Sequence, residues 1–351
     1  MRIAILGSAA MSVPPSHQGG TEWIAYYQAK GLAGLGHKIT LVSFKGSLPG
    51  DYKLIEIGYT YEAKTSADID EIESSRALRT ENVRLAETMG KLAELISDYD
   101  LILNNMRGEA VFLPLAKFLG KPLVNVMHLP LFPELANIFK IYNTNIITIS
   151  NNQRKKFPDL NYLSTVYNCV DTEKYVYNPR PKADYLLMMG TIGRHKNQGA
   201  AVRIAKKLGM KLILAGKIRD KEYFEELKKD IDGEQIQWFG ELDFGKKVAL
   251  YQNAKAFLFP IVWEEPFGLV MIEAMACGTP VVAFGNGAIP EVIVNGKTGF
   301  VIENNSEEEM AEAVRKIDTI KRQDSRNHVM ENFTVEKMVK GYEAALAEII
   351  T

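Results

Sequence analysis

Two glutamates eight positions apart, Glu265 and Glu273, bracket the stretch that carries most of the chain's chemical promise. A carboxylate accepts hydrogen bonds from hydroxyl groups, and two of them can grip both ends of one polyhydroxylated ligand. If the stretch is helical throughout, the spacing predicts roughly 12 Å between them. The backbone N–H groups of Phe267, Gly268 and Leu269 would face the same site, where unpaired donors and the positive end of a helix suit a phosphate. One strand–turn–helix element could thus hold a sugar, a diphosphate and a ribose. Glu273 also interrupts an otherwise apolar helix, so it needs a partner.

Other candidates are weaker in isolation. The loop Thr191–Lys196 carries Arg194 and Lys196, whose alternative reading is a solvated basic loop. Gly19 and Gly20 precede a helix and could let backbone approach a ligand closely, or could form a helix entry capped by Thr21. His128 follows an apolar run, at a strand end where open α/β sheets meet their ligands, although a lone histidine there is commonly structural. Asp68-Ile69-Asp70 and Asp230-Ile231-Asp232 have the Asp-x-Asp spacing of a metal site, but both sit in charge-rich helical surroundings. They read as solvated faces, and no metal is expected.

The positioning elements follow from apolar runs. Ile3–Leu6, His37–Val42, Leu101–Leu103, Pro122–Met127 and Asn145–Ser150 read as buried parallel strands, the last ending the first sheet. Helical patterns separate them, so right-handed β–α–β crossovers are expected. A second series opens at Ala183–Gly190 and continues through Lys211–Gly216, Ile236–Leu242, Ala256–Pro260 and Val281–Phe284. Pro266 fits the first turn of the helix that Gly278 ends. Leu131, Phe132, Leu135, Ile138, Phe139 and Tyr142 have helical spacing that suits core packing, or an amphipathic face toward a membrane or lipid-linked acceptor. Terminal helices are expected at Ser306–Asp318 and Val335–Ile349.

A chain of 351 residues accommodates two ordinary domains, and a formal charge of −1 argues against bulk attraction to nucleic acid. Its two cysteines, Cys169 and Cys277, form neither a disulfide framework nor a metal spacing, and read as reduced thiols. Pro14-Pro15 and the short apolar run before them favour a first strand over a signal peptide. No stretch approaches the roughly 20 apolar residues of a membrane span.

Glu265 and Glu273, within Glu-Pro-Phe-Gly-Leu and Ala-Cys-Gly-Thr-Pro-Val-Val-Ala, match the E-x7-E element of retaining nucleotide-sugar-dependent glycosyltransferases. The wider segment resembles family 4 of those enzymes, glycosyltransferase group 1. Resemblance implies an α/β chain of two Rossmann-like domains facing across a cleft, the GT-B fold. An acceptor-side domain would span 1–170 with a crossover helix at about 330–351, and a nucleotide-sugar domain would span 171–329. It implies sugar hydroxyls on Glu265, ribose on Glu273, and diphosphate charge met by Lys196 with Arg194, because Thr191 stands where the family places arginine. It places Gly19 and Gly20 by the donor phosphates and His128 by the sugar. Cys169 replaces the glycine of the family's V-x-N-G-V-D segment. The implied reaction moves a hexose from a UDP- or GDP-sugar to a glycan, lipid-linked or small-molecule hydroxyl. No cofactor or metal is required, no nucleic acid is a partner, and the location is cytoplasmic with peripheral membrane contact allowed. The alternatives are an inactive nucleotide-sugar-binding subunit, or an epimerase or phosphorylase on the same fold.

Overall fold

The structure, a computed structural model, describes residues 1–16, 19–58, 74–181 and 184–350. Its contacts divide the chain into two compact units. Unit 1 comprises Met1–Ile149, Arg154–Val166 and Met338–Thr351, and unit 2 comprises Ser150–Gln153 and Tyr167–Lys337.

Unit 1 runs β1 (Arg2–Leu6), α1 (Gly20–Gly34), β2 (Lys38–Phe44), β3 (Lys53–Ile57), α2 (Ser74–Glu94), β4 (Leu101–Asn104), α3 (Phe112–Leu119), β5 (Leu123–Met127), α4 (Pro133–Tyr142), β6 (Asn145–Thr148) and β7 (Tyr162–Thr165). The strands pair in parallel in the order β3-β2-β1-β4-β5-β6-β7. Their central members are buried at every position, as strands covered on both faces are, and the buried amides of Asn104 and Asn125 bond to each other. The sheet does not end at β6. Strand β7 extends it, half-buried throughout and without a continuous apolar signal. Helix α4 begins with Pro133 and stops at Asn143 in the left-handed region. Leu131, Leu135 and Phe139 around it are buried in the core, while Phe132 and Ile141 stand exposed. Asp68, Ile69 and Asp70 lie outside the described residues.

Unit 2 continues with β8 (Tyr185–Met189), α5 (Gln198–Leu208), β9 (Lys211–Ala215), α6 (Lys221–Lys228), β10 (Ile236–Trp238), α7 (Phe244–Asn253), β11 (Ala256–Phe259), α8 (Leu269–Ala276), β12 (Val281–Phe284), α9 (Ile289–Val292), β13 (Gly299–Ile302), α10 (Glu307–Arg315) and α11 (Arg322–Asn332). Its six parallel strands follow the order β10-β9-β8-β11-β12-β13. Helix α11 was not anticipated, because its polar sequence carries no apolar stripe. Arg322 fixes it instead, donating to the carbonyls of Asn178, Gln252, Ala254 and Cys277 and to the Thr279 hydroxyl. Burial lowers the pKa of this guanidinium, which is satisfied by neutral acceptors alone.

Helix α12 (Val335–Ile350) supplies the last segment of unit 1. There Val339 and Val166 pack on bare glycines. A Cβ on Gly31 would stand 2.3 Å from Val339, and one on Gly341 3.0 Å from Val166. The His37 ring joins Glu343 at 2.8 Å and the N-terminal amine at 3.1 Å.

Each sheet has one point where its strand order reverses: between β1 and β4 in unit 1, and between β8 and β11 in unit 2. In open parallel sheets the loops leaving the carboxyl ends of such strands part around a crevice that takes ligands. Gly19, Arg194, Lys196 and Glu265 fall on these loops, whereas His128 follows β5 and Glu273 lies within the helix after β11.

Candidate functional site

In unit 2, the loop after β8 carries Lys196 and the loop after β11 carries Glu265. The two side chains meet at 2.9 Å. Asn197, left-handed at φ 58°, donates to the Pro260 carbonyl at 3.0 Å and ties the two loops together. The same oxygen of Glu265 accepts the Trp263 indole N–H at 2.9 Å. The Lys196 ammonium lies 5.2 Å from the Trp263 ring centre and 5.5 Å from that of Phe259. The Lys196 and Glu265 side chains are 17% and 11% exposed, so this is a charge pair held at the edge of solvent. Desolvated aromatic faces favour the cation and limit its freedom. His195, edge-on to Trp263, is pushed toward the neutral form by burial and then by the nearby charges of Lys196 and Arg219.

The Glu265 backbone is fixed from the other side. Ala288 N–H donates to its carbonyl at 2.9 Å, and Gly287 lies so close that a Cβ would stand 2.3 Å from that oxygen. Gly287 also has φ 66°, so glycine is required there twice over.

Helix α8 starts at Leu269, capped by Gly268 at φ 88°. Glu265 and Pro266 therefore precede the helix, and the spacing estimate that assumed a helix from Glu265 to Glu273 does not apply. Among the described residues, no acceptor takes the backbone N–H groups of Phe267, Gly268 or Leu269. The Phe267 side chain points into an aromatic cluster with Tyr167 and Phe333.

Glu273 does have partners, three of them. One oxygen accepts the Tyr175 hydroxyl and the Lys247 ammonium, each at 2.7 Å, and the other accepts the Tyr251 hydroxyl at 2.9 Å. Burial, then the Glu273 charge, drives the Tyr251 pKa well upward, which keeps it a donor. Sequence reading missed Lys247, Tyr175 and Tyr251. They lie 26, 98 and 22 positions away in the chain, and no local pattern links them to the helix.

Arg194 is not brought to this pair. Its guanidinium makes two bonds to Glu226, at 2.6 and 3.1 Å, and lies over the Tyr223 ring at 5.3 Å. The Thr191 carbonyl accepts from Gln198. Asp232 accepts three backbone N–H groups in its own turn, those of Glu234, Gln235 and Ile236, and Asp230 pairs with Lys206. Among the described residues, no group of three or more His, Cys, Asp or Glu could hold a metal ion. Cys277 is a buried free thiol, its pKa raised to about 12 chiefly by that burial.

In unit 1, Gly19 caps α1 and Gly20 begins it, so Thr21 lies inside the first turn rather than at the cap. A Cβ on Gly19 would fall 2.8 Å from a Glu22 carboxylate oxygen. Glu22 accepts the Ser8 hydroxyl at 3.1 Å, and that hydroxyl accepts the N–H groups of Ala10 and Met11. His128 follows β5, and its Nε2 lies 2.9 Å from Asn105 Oδ1. Burial lowers its pKa to about 4, so the ring is neutral.

Residues 170–334 match the family model described as glycosyl transferases group 1. The match covers a little under half of the chain. The matched residues include Lys196, Glu265 and Glu273. Glycogen synthase of Mycobacterium tuberculosis is 28% identical over 169 residues, covering 46% of this chain and 41% of that protein. A probable sucrose-phosphate synthase of Thermosipho melanesiensis is 30% identical over 187 residues, covering 49% and 42%. The chain thus spans about two-fifths of the length of these curated relatives. Over nearly the whole chain the fold is that of solved glycosyltransferase structures. Anabaena Alr3699/HepE in complex with UDP and glucose superposes with a TM-score of 0.74 at 18% identity, covering 99% of this chain and 100% of that one. The two parallel α/β units are those of the GT-B fold class.

Proposed function

We propose that the protein is a glycosyltransferase that transfers a hexose from a nucleotide-diphosphate sugar, UDP- or GDP-linked, to a hydroxyl group, with retention at the anomeric carbon. The observation that carries this reading is the Lys196–Glu265 pair at the switch point of unit 2, close in sequence to the amides of Phe267, Gly268 and Leu269, which have no acceptor among the described residues. The Anabaena structure, which holds UDP and glucose, supports the donor class.

In this reading Glu265 orients sugar hydroxyls. Lys196 and the three amides stabilise the negative charge that builds on the diphosphate as the glycosidic bond breaks. Charge developing in the transition state is where fixed donors are worth most. Those donors supply what a divalent cation would otherwise contribute, so no metal is assigned. Glu273 keeps a lone pair for a ribose hydroxyl after its three protein bonds. Arg194, bound to Glu226, is given no part in the resting site. The acceptor is a glycan, lipid-linked or small-molecule hydroxyl. Contact with a membrane surface would fall to exposed Phe132 and Ile141, because Leu131, Leu135 and Phe139 are committed to the core.

The test is a thermal-shift panel of UDP, GDP, ADP and their hexose derivatives on wild type, Glu265→Gln and Glu273→Gln, followed by assay of diphosphate release. A ligand at 100 times its Kd stabilises the native state by about 2.7 kcal/mol. A shift with one base, weakened in the variants and accompanied by turnover, is expected. Binding without release of diphosphate to water or any acceptor would instead favour a nucleotide-sugar-binding subunit.

A further inference from the structure

At the switch point of unit 1 a line of buried amides leads to His128. Gln28 on α1 is fully buried and Asn105, just past β4, is 4% exposed. Asn105 Nδ2 donates to Gln28 Oε1 at 2.7 Å, which commits the amide nitrogen and turns its oxygen toward His128 Nε2 at 2.9 Å. The turn that presents Asn105 is itself held. Asn105 N–H donates to the Leu6 carbonyl, Met106 N–H to Asn104 Oδ1, and Asn104 Nδ2 to Asn125 Oδ1 at 2.8 Å.

An imidazole nitrogen that faces a carbonyl oxygen must carry the proton, and the other nitrogen of a neutral ring is then a lone-pair acceptor. We propose that Gln28 and Asn105 are positioning residues that lock His128 as the Nε2–H tautomer, so that Nδ1 accepts a hydrogen bond from a substrate hydroxyl. Among the described residues Nδ1 has no protein partner, and His128 is only half-buried, followed by exposed Leu129 and Pro130. Burial is the one cause of its lowered pKa, with no charged neighbour contributing, which leaves Nδ1 unprotonated at neutral pH. The tautomer follows from the geometry of unit 1, whereas the hydroxyl ligand rests on the glycosyltransferase reading.

Long-range proton–nitrogen correlation spectra of the histidine rings, with His128 assigned through His128→Gln, test the lock without any substrate. The wild type is expected to show a single Nε2–H tautomer, and Asn105→Leu a mixture. In Asn105→Asp, which keeps the side chain's shape, a carboxylate faces the ring. The His128 midpoint then rises from about 4 to roughly 6.5 or higher. Protonated Nδ1 can no longer accept, so transfer by Asn105→Asp should fall about tenfold one pH unit below the new midpoint and recover above it. Loss of packing alone would not recover with pH. A wild-type Nδ1–H tautomer, or Asn105→Leu spectra identical to wild type, overturns the lock. A rate profile in Asn105→Asp that ignores ring protonation overturns the hydroxyl role. If no sugar transfer is found while the spectra show the locked tautomer, the enzyme reading fails and the lock stands.

Discussion

At the scale of single residues, the charge pair Lys196–Glu265 and the neutral ring of His128 do different work. Replacing Glu265 by glutamine keeps an acceptor for the indole N–H but removes the negative partner of Lys196. Transfer should fall by about 10²–10³-fold, the range seen when one preorganised electrostatic group is lost. Far-UV circular dichroism should stay unchanged. An activity within a few fold of wild type would remove Glu265 from the mechanism. His128 gives a stability prediction with a definite sign. Its folded-state pKa of about 4 lies below the ordinary 6.5, so the unfolded chain takes up the proton first as pH falls. Its contribution is complete above about pH 6.5 and is lost on acidification toward pH 4. The loss amounts to about 3 kcal/mol. Urea unfolding across that window should show a flatter pH slope for His128→Gln than for wild type. Parallel slopes would mean that the ring is not held neutral.

At the scale of elements, Glu273 ties helix α8 to α7 through Lys247 and Tyr251, and to the segment before β8 through Tyr175. Glu273→Ala strands an ammonium and a buried phenol together, and unit 2 should lose roughly 3 kcal/mol. A melting temperature equal to wild type would show that the clamp contributes nothing. For the same reason Glu273→Gln is the better probe of ligand binding. The elements also show what the sequence could and could not reveal. Buried parallel strands such as β11 and β12 are continuous apolar runs, and were legible as such. Strand β7 and helix α11 were not, because one is half-buried at every position and the other is anchored largely by polar side chains, with Arg322 and Arg326 reaching neutral acceptors. The same division applies at the site. Glu265, Lys196 and His128 stand on loops next to strong strand signals, and a carboxylate in an apolar helix announced that it needed a partner. Its partners, like Gln28 and Asn105, become neighbours only when the sheet order is known.

At the scale of the whole molecule, no helix among the described residues is long and apolar enough to cross a membrane. Met338, Val339, Tyr342, Ala345 and Leu346 are buried, and the helix segment that bears them completes unit 1. Each apolar side chain of this kind contributes about 1.5–3 kcal/mol when removed from water. Deleting residues 338–351 should therefore destabilise unit 1 by several kcal/mol, read as faster amide exchange in β1 and β4 with β8 and β11 unaffected. Equal protection in all four strands would show that the segment is dispensable. Gly31→Leu should act in the same direction, since its side chain would displace Val339.

Unit 1 is assembled from three stretches of chain, and its last one follows all of unit 2 in the sequence. During synthesis on the ribosome, the first sheet is therefore translated long before the segment that covers Gly31. Unit 2, by contrast, is complete in sequence at Lys337. The usual order in which nascent domains mature, from the N-terminal end onward, is reversed here. The first unit to leave the exit tunnel is the last able to close, and until then Gly31 on helix α1 lacks the Val339 side chain that packs on it.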